Sequence, residues 1–225
     1  HRMLQTNGRP EWRVIRGGSR QYIARLTAGF HARIHTGEPV SAAFRTPQGI
    51  RLQGPGRDLG LFDEVVLACH ADQARAIVAQ PSPQEDSVLR EFPYETNVAT
   101  LHTSDAVMPA RRRAWASWNF RLSQQSSERA TVTYYMNMLQ SLSTETNYFV
   151  TLNDSGDIPD HRILRRIRYT HPLFTPARDR AQERHTELIR HDRISYCGAY
   201  WGFGFHEDGV RSAVRVAEEF GETLP

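Results

Sequence analysis

The segment Ser195–Gly209 constrains the fold of this chain more than any other. It combines glycines with a cluster of aromatic residues and ends in two acidic residues and a further glycine: Gly198, Tyr200, Trp201, Gly202, Phe203, Gly204, Phe205, Glu207, Asp208 and Gly209. Apolar residues with helical spacing follow at Val210, Ala213, Val214 and Ala217. The pattern predicts a strand over 193–196, a glycine turn, and a helix that Asp208 and Gly209 cap and that runs to Phe220.

Such a turn suits a ligand that carries phosphate and a planar ring. Glycine lets the backbone approach a ligand closely, and the N–H groups at a helix N-terminus favour phosphate. We expect the turn's aromatic residues, Tyr200, Trp201, Phe203 and Phe205, to wall the ring. An alternative stays open, in which the segment is a glycine-rich hinge whose aromatic residues simply fill the core.

The part of the chain before residue 80 predicts short alternating elements. Strands are expected at 11–15, 32–35, 40–45 and 50–53, with a glycine turn at 17–19 and a helix at 21–26. The apolar run Val65–Cys69 is typical of a parallel strand covered on both faces. A helical pattern from Ala71, with Asp72 in its first turn, completes a strand-to-helix step.

The middle of the chain has a different character and predicts an antiparallel sheet. Its strands are expected at 97–103, 114–121, 131–139 and 148–152. Pro172 keeps the segment 169–174 extended, and Pro176 opens a helix over 176–184.

Composition excludes some chemistry and sets the expected compartment. All 28 basic residues are Arg, so no Lys is present for a Schiff base or a general base. The two cysteines, Cys69 and Cys197, lie in apolar contexts, which favours free thiols and a reducing cytoplasm. The chain has neither a run of 18 apolar residues nor a leader. It also lacks an initiator Met, from which we expect an N-terminal part to be missing.

Metal ions and nucleic acids are not expected as ligands. The histidines at 161, 171, 185, 191 and 206 show no metal-ligand spacing. The run Arg111–Arg113 lacks interleaved aromatic residues, so it is interpreted as a solvated cluster rather than a nucleic-acid site.

Six segments, taken in order, resemble the bacterial FAD-dependent, amine-oxidase-like proteins, which are often described as predicted NAD/FAD-binding proteins. These segments cover residues 9–22, 62–73, 101–103, 115–119, 148–153 and 198–209. The last of them, with the sequence GAYWGFGFHEDG, is the most specific.

The resemblance implies a mixed α/β flavoprotein with a two-domain architecture and an antiparallel-sheet substrate domain. In that scheme 11–72 and 194–225 form the FAD-binding domain, and 73–193 with 1–10 form the substrate domain. Val40 matches the position whose backbone meets the adenine. The positions that match the C-terminal FAD motif are Gly198, Ala199, Asp208, Gly209 and Val210.

Two departures limit what the resemblance implies. The family's N-terminal βαβ unit with its G-x-G-x-x-G turn is absent, so we expect a missing dinucleotide-binding part as a partner of this chain. Many amine oxidases of the superfamily use a Lys near the flavin, and none is present here. Relatives occur beside or fused to cyclopropane-fatty-acid synthases, which favours an apolar or acyl-chain substrate.

The expected function is therefore the C-terminal part of a flavin-dependent oxidoreductase that desaturates, isomerises or oxidises an apolar substrate by hydride transfer to FAD. Weak catalytic candidates are His206, Tyr200 and Trp201. Pocket walls are expected among Trp115, Trp118, Tyr134, Tyr135, Phe149, Tyr200 and Trp201. The alternatives are a flavin amine oxidase, a catalytically silent FAD-fold interaction module and, from the many Arg residues, a nucleic-acid binder.

Overall fold

The fold was obtained as a computed structural model, which describes residues 13–121 and 131–223. The described residues form two compact units. One contains the described residues of 13–35 and 97–169, and the other those of 36–96 and 170–223, so the chain crosses between the units three times. The assignment of 11–72 and 194–225 to FAD binding, and of 73–193 to the substrate, stays a prediction.

Residues 13–121 and 131–223 contain ten strands and six α-helices. The helices are α1 (Arg20–Leu26), α2 (Ala71–Ile77), α3 (Pro83–Leu89), α4 (Met136–Leu139), α5 (Pro176–Glu183) and α6 (His206–Glu218). The strands are β1 (Ala42–Thr46), β2 (Gly49–Gly54), β3 (Arg57–Phe62), β4 (Val65–Leu67), β5 (Tyr94–His102), β6 (Trp118–Arg121), β7 (Thr131–Tyr135), β8 (Phe149–Leu152), β9 (Ile163–Pro172) and β10 (Ile194–Tyr196).

The strands of the described residues form three sheets. A three-stranded antiparallel sheet has the order β1-β2-β3, and a two-stranded parallel sheet pairs β10 with β4. The five-stranded sheet has the order β6-β7-β8-β5-β9. The parallel pair and the antiparallel sheet in the middle of the chain confirm the mixed α/β pattern that the sequence predicts.

The unit that contains the parallel pair is held by one hydrophobic core. Its buried members come from strands and helices far apart in the sequence, among them Ile50, Leu67, Val88, Leu89, Phe92, Leu188, Ile194 and Tyr196. Helix α3 enters this core because Ser82 caps it: the Ser82 side chain accepts from Glu85 N, and Glu85 in turn accepts from Ser82 N at 2.7 Å.

Glu85 is a fully buried carboxylate, and the core satisfies it completely. Its Oε1 accepts hydrogen bonds from the Tyr196 hydroxyl at 2.6 Å and from the Arg45 guanidinium at 2.5 Å. Burial alone would raise the pKa of Glu85, but the bonds from Tyr196, Ser82 and Arg45 hold that pKa below its ordinary value. Glu85 therefore stays ionised and ties β10 to α3 and β1.

The five-stranded sheet has one apolar face and one face that mixes polar and aromatic residues. Directly paired residues share a face, and two cross-strand rows lie on one side: Trp118, Tyr134, Val150 and Leu101 form the first, and Phe120, Val132, Leu152 and Ala99 form the second. We call these eight residues the apolar face. On the other side, one row contains Asn119, Thr133, Thr151 and Thr100, which we call the polar row, and the next row contains Tyr135, Phe149 and His102.

Several predicted elements differ from the structure. No strand forms at 32–35, where a 3₁₀ helix (His31–Arg33) lies with every residue exposed. The described part of the predicted strand 11–15 is irregular, and residues 11 and 12 lie outside the described residues. The segment 136–139 continues as helix α4 instead of strand, and β3 and most of β9 were not predicted.

Helix α6 buries a different face from the one predicted. It begins at His206, two residues before the predicted cap, and its buried residues are Asp208, Ser212 and Val216. Val210 is 51% exposed, and Ala213 is also exposed. The reason is that Ser212 hydrogen-bonds the glycine turn, which rotates the helix so that a polar side chain faces inward.

Candidate functional site

The turn after β10 is a position that only glycine fits. Gly198 has a φ of 156°, and a Cβ at this position would lie 2.6 Å from the Tyr200 ring. The strand that leads to it is fixed because Tyr196 pairs with Leu67 and Cys197 N donates to Leu67 O at 3.1 Å. The pairing of β10 with β4 therefore fixes the backbone direction at Gly198.

Ser212 fastens this turn to helix α6. Its Oγ accepts from Gly198 N at 2.8 Å and lies 2.7 Å from Gly209 O. A Cβ at Gly209 would lie 3.6 Å from Ala199 N, so the two backbones face each other without an intervening side chain. Gly198, Ala199 and Gly209 thus form one small-residue surface at the start of the helix.

Asp208 folds the loop that leads into α6. Its Oδ2 accepts from Phe203 N at 3.0 Å and from Phe205 N at 2.9 Å, which makes it the N3 partner of a capping box. A Cβ at Gly202 would lie 2.4–2.6 Å from this carboxylate and its neighbouring carbons. Asp208 therefore shapes the loop and occupies N–H groups that an anion would otherwise meet.

The loop is also held from behind by helix α5. The Gln182 side-chain amide donates to Tyr200 O and to Gly202 O, both at 2.7 Å, and the Arg178 guanidinium donates to Gly202 O as well. Arg178 is only 1% exposed and stacks on the Phe174 ring at 3.9 Å. The sequence predicts α5 but carries no signal for these contacts, because the partners are 18 to 24 residues apart.

The aromatic residues of the turn separate into two groups. Tyr200 and Trp201 are 3% and 8% exposed and pack edge-on against Phe92, with ring centroids 4.9 Å and 5.1 Å away. Phe203, by contrast, is 62% exposed, and Phe205 is half-buried. The sequence left open whether the aromatic residues of the turn fill the core. Tyr200 and Trp201 do so.

The weak catalytic candidates differ in their surroundings. Burial raises the pKa of Tyr200 well above its ordinary value, so its hydroxyl stays protonated. The Tyr200 hydroxyl and Trp201 Nε1 are buried without a hydrogen-bond partner in the described part of the chain. His206 is the first residue of α6 and is exposed. A catalytic role for any of them stays a prediction.

The remaining predicted cofactor residues lie in the same unit. Val210 follows Gly209 in the first turn of α6, and half of its surface is exposed. Val40 lies in the segment before β1, next to Ser41, whose N–H donates to Gln53 O at 2.7 Å. The structure brings Gly198, Ala199, Asp208, Gly209 and Val210 together around one turn, whereas Val40 belongs to a separate element.

The apolar face of the five-stranded sheet is the second candidate surface. Trp118 and Phe120 are 45% and 62% exposed, although both lie in a regular strand. Trp118 packs against Tyr134 with ring centroids 5.8 Å apart, and burial raises the pKa of Tyr134. The other aromatic residues that were predicted as pocket walls do not belong to the apolar face. Tyr135 and Phe149 pair on the opposite side of the sheet, and both Trp115 and Tyr135 contact the fully buried Phe149.

Neither a metal centre nor a membrane span is found in the part of the chain that the structure describes. Among residues 13–121 and 131–223, no three His, Cys, Asp or Glu side chains come together as metal ligands. No helix within the same residues has the length and apolar character needed to cross a bilayer.

Comparisons with known proteins identify the fold but not the family. No protein family matches the sequence, and no curated protein does. Among solved structures, the chain is similar to a CLA-producing fatty acid isomerase from P. acnes, with a TM-score of 0.60 and 12% identity over 90% of this chain and 52% of that one.

Two amine-oxidising enzymes are also similar to the chain. Cyclohexylamine oxidase from Brevibacterium oxydans has a TM-score of 0.56 and 12% identity over 91% of this chain and 53% of that one. Putrescine oxidase bound to putrescine has a TM-score of 0.57 and 11% identity over 92% and 53%. The chain spans about half the length of these proteins. The likeness confirms the predicted fold class, a mixed α/β architecture with antiparallel sheets.

Proposed function

We propose that the chain is the C-terminal part of a flavin-dependent oxidoreductase that acts on an apolar, lipid-like substrate. The reaction is a desaturation, an isomerisation or an oxidation. The observation that supports this most directly is the small-residue surface of Gly198, Ala199 and Gly209, because a cofactor needs such a surface to approach the backbone at the start of a helix.

FAD fits the turn on physical grounds. Gly198, Ala199 and Gly209 offer backbone without side-chain bulk, and Val210 presents an exposed apolar surface one residue further on. Asp208 acts through the loop that it folds rather than by direct contact with phosphate, since its Oδ2 is engaged by Phe203 N and Phe205 N. When bound, FAD would supply the hydride acceptor.

The apolar face supports the substrate class. Its eight residues are hydrocarbon or aromatic in character and include no carboxylate that would pair with an ammonium group. A contiguous exposed patch of apolar side chains commonly marks a binding surface. An acyl chain or another hydrocarbon fits it better than the protonated amine of an amine-oxidase substrate.

The parallel pair β4 and β10 supports a missing dinucleotide-binding part. Parallel strands are usually covered on both faces and belong to larger sheets, yet Val66 in β4 is 44% exposed. Its neighbour in the register, Ser195 in β10, is fully buried. Further strands beside this pair would cover Val66, as expected if the chain is one part of a larger flavoprotein.

The test is the absorption spectrum of the natural protein that contains this chain, purified without added cofactor. We expect flavin bands, and we expect Gly209→Trp to abolish them because an indole at this position would cover Ala199 N. Arg211→Trp is the matched control, since Arg211 lies on the same helix with a 74% exposed side chain. It should retain the flavin.

Three outcomes would count against the proposal. A wild-type protein with no flavin bands in any preparation would remove its basis. Flavin retention by Gly209→Trp at the level of Arg211→Trp would show that the turn is not the cofactor site. Bound flavin with no reduction by any apolar substrate would favour the alternative of a catalytically silent module.

A further inference from the structure

A polar cleft lies in the same unit as the apolar face. It has a volume of about 550 Å³ and is lined by Thr103, Ser104, Asp105, Thr146, Asn147, Pro159, His161 and Arg162. Seven of these eight residues are polar or charged, and they come from three segments: the end of β5, the approach to β8, and the turn before β9. A cleft of this size holds a small ligand or the head group of a larger one.

The frame of the cleft is fixed by hydrogen bonds. Thr103 N donates to Arg162 O at 3.0 Å, which joins the end of β5 to the start of β9. The Tyr135 hydroxyl donates to Asn147 Oδ1 at 2.8 Å, so the Asn147 NH₂ group remains available as a donor. Ser104 is 8% exposed, and its Oγ accepts from Ala106 N at 3.3 Å, which leaves its O–H free to donate.

The charged side chains of the cleft form no ion pair with any residue that the structure describes. Among the described residues, Arg162 makes no ion pair or side-chain hydrogen bond, and neither do the side chains of His161 and Asp105. An unpaired guanidinium beside amide and hydroxyl donors is the arrangement that binds a carboxylate or a phosphate, because it can offer several charge-assisted bonds at once.

The cleft is close to the first row of the apolar face. Leu101 lies two residues before Thr103 on β5, and Val150 lies three residues after Asn147. At the rise of a β-strand, the shorter of these separations is about 7 Å. An oxyanion bound in the cleft would therefore leave the rest of its molecule within reach of the hydrocarbon and aromatic side chains of that row.

We propose that the cleft anchors the anionic head group, carboxylate or phosphate, of an amphiphilic substrate whose hydrocarbon chain lies on the apolar face. This inference rests on the proposed function, since it names the class of apolar substrate on which the flavoenzyme acts. Arg162 is the principal head-group ligand. Ser104 and Asn147 supply neutral hydrogen-bond donors. Asp105 carries the same charge as the head group and therefore lowers the affinity for it.

The test measures binding, so it does not depend on turnover. Titration calorimetry of the purified protein would compare dodecanoate, dodecyl phosphate and dodecan-1-ol below their aggregation limits. Loss of a charge-assisted bond costs about 10- to 100-fold in affinity. We expect Arg162→Gln to weaken the tighter-binding anion by this factor while the alcohol binds as before. The stronger of the two anions identifies the head group.

Two further variants sharpen the result. Arg165→Gln is the matched control, because Arg165 is an exposed arginine of β9, three residues after Arg162, that does not line the cleft. It should leave the affinities for the anions and for the alcohol nearly unchanged. Asp105→Asn should tighten anion binding about two- to fivefold by removing a like charge. Equal affinity for the anions and the alcohol, an unchanged affinity in Arg162→Gln, or no binding of any probe would overturn the inference. Absence of flavin would refute the proposed function separately.

Discussion

Gly202 should be intolerant even of alanine, because of where its missing side chain would lie. A Cβ at this position would be 2.4–2.6 Å from the Asp208 carboxylate group and its Cβ. The clash can be relieved only if Asp208 moves, and this movement breaks its bonds to Phe203 N and Phe205 N. Each hydrogen bond to a charged group contributes about 1.5–3 kcal/mol, while overpacking alone costs about 1–3 kcal/mol. Because both bonds are lost, we expect Gly202→Ala to lower the free energy of unfolding by about 3–6 kcal/mol.

Urea unfolding followed by circular dichroism measures this loss, as a lower midpoint with an unchanged slope. Gly29→Ala is the control, since a Cβ at Gly29 would meet open space. The double variant Gly202→Ala with Asp208→Asn tests the cause. If alanine acts by displacing the carboxylate, the two effects will be strongly non-additive. A Gly202→Ala protein as stable as Gly29→Ala, or full additivity in the double variant, would refute the reasoning.

Three further predictions follow from buried polar groups. Tyr94→Phe should lower the free energy of unfolding by about 1–3 kcal/mol, because Ala71 N loses the Tyr94 hydroxyl, to which it donates at 3.0 Å. Urea unfolding measures this loss, and an unchanged midpoint would contradict the prediction. The wild-type protein should lose stability as pH falls below 4.5, because the pKa of Glu85 is lowered in the native state and not in the unfolded state. Glu85→Gln should reduce this loss. The free energy of unfolding measured at decreasing pH tests the prediction, and an unchanged decrease below pH 4.5 would contradict it. Burial lowers the pKa of His102 from its ordinary 6.5, so stability conferred by the neutral ring is lost as pH drops below that value. His102→Gln should therefore flatten the pH dependence between about pH 7 and pH 5, and an unaltered slope would exclude this residue as the cause.

Local patterns predicted the elements whose determinants are local. The turn at Gly17 and Gly18 forms with positive φ at both residues, and helix α2 begins at Ala71. The strand predicted at 32–35 failed because alternation alone gives no partner for pairing. Strand β9 was largely missed because seven of its ten residues are exposed, as expected of an arginine-rich edge strand.

The glycines of the candidate turn located it in the sequence, but the hydrogen bonds that hold the turn could not be predicted. Glycine and aromatic content located the segment 195–209, since these residue types constrain the backbone directly. The burial of Ser212 depends on a bond to Gly198, fourteen residues earlier in the chain. The support of Gly202 O by Arg178 and Gln182 comes from another helix altogether. Contacts of this kind leave no periodic trace in the sequence.

The five-stranded sheet buries a row of threonines beside Phe149 on one face and exposes aromatic side chains on the other, and this exposure supports the proposal that its surface binds a ligand. A half-covered antiparallel sheet normally buries its hydrophobic side and exposes its polar side. Here Thr100, Thr133 and Thr151 are at most 2% exposed, while Phe120 on the opposite face is 62% exposed. The buried hydroxyls are satisfied because Thr151 Oγ1 lies 3.0 Å from Thr133 Oγ1 and 2.8 Å from His102 Nε2.

Hydrogen bonding therefore satisfies the buried threonines, which share that side of the sheet with the fully buried Phe149, and aromatic side chains remain exposed on the other side. Exposing Phe120 and Trp118 to water is unfavourable by roughly 25 cal/mol for each Å² of apolar surface. A ligand that covered them would recover this free energy on binding. Phe120→Ser should consequently weaken dodecanoate binding but leave the free energy of unfolding nearly unchanged, because the side chain contributes little to the core. Thr133→Val should do the reverse, since it leaves Thr151 Oγ1 without one partner inside the sheet.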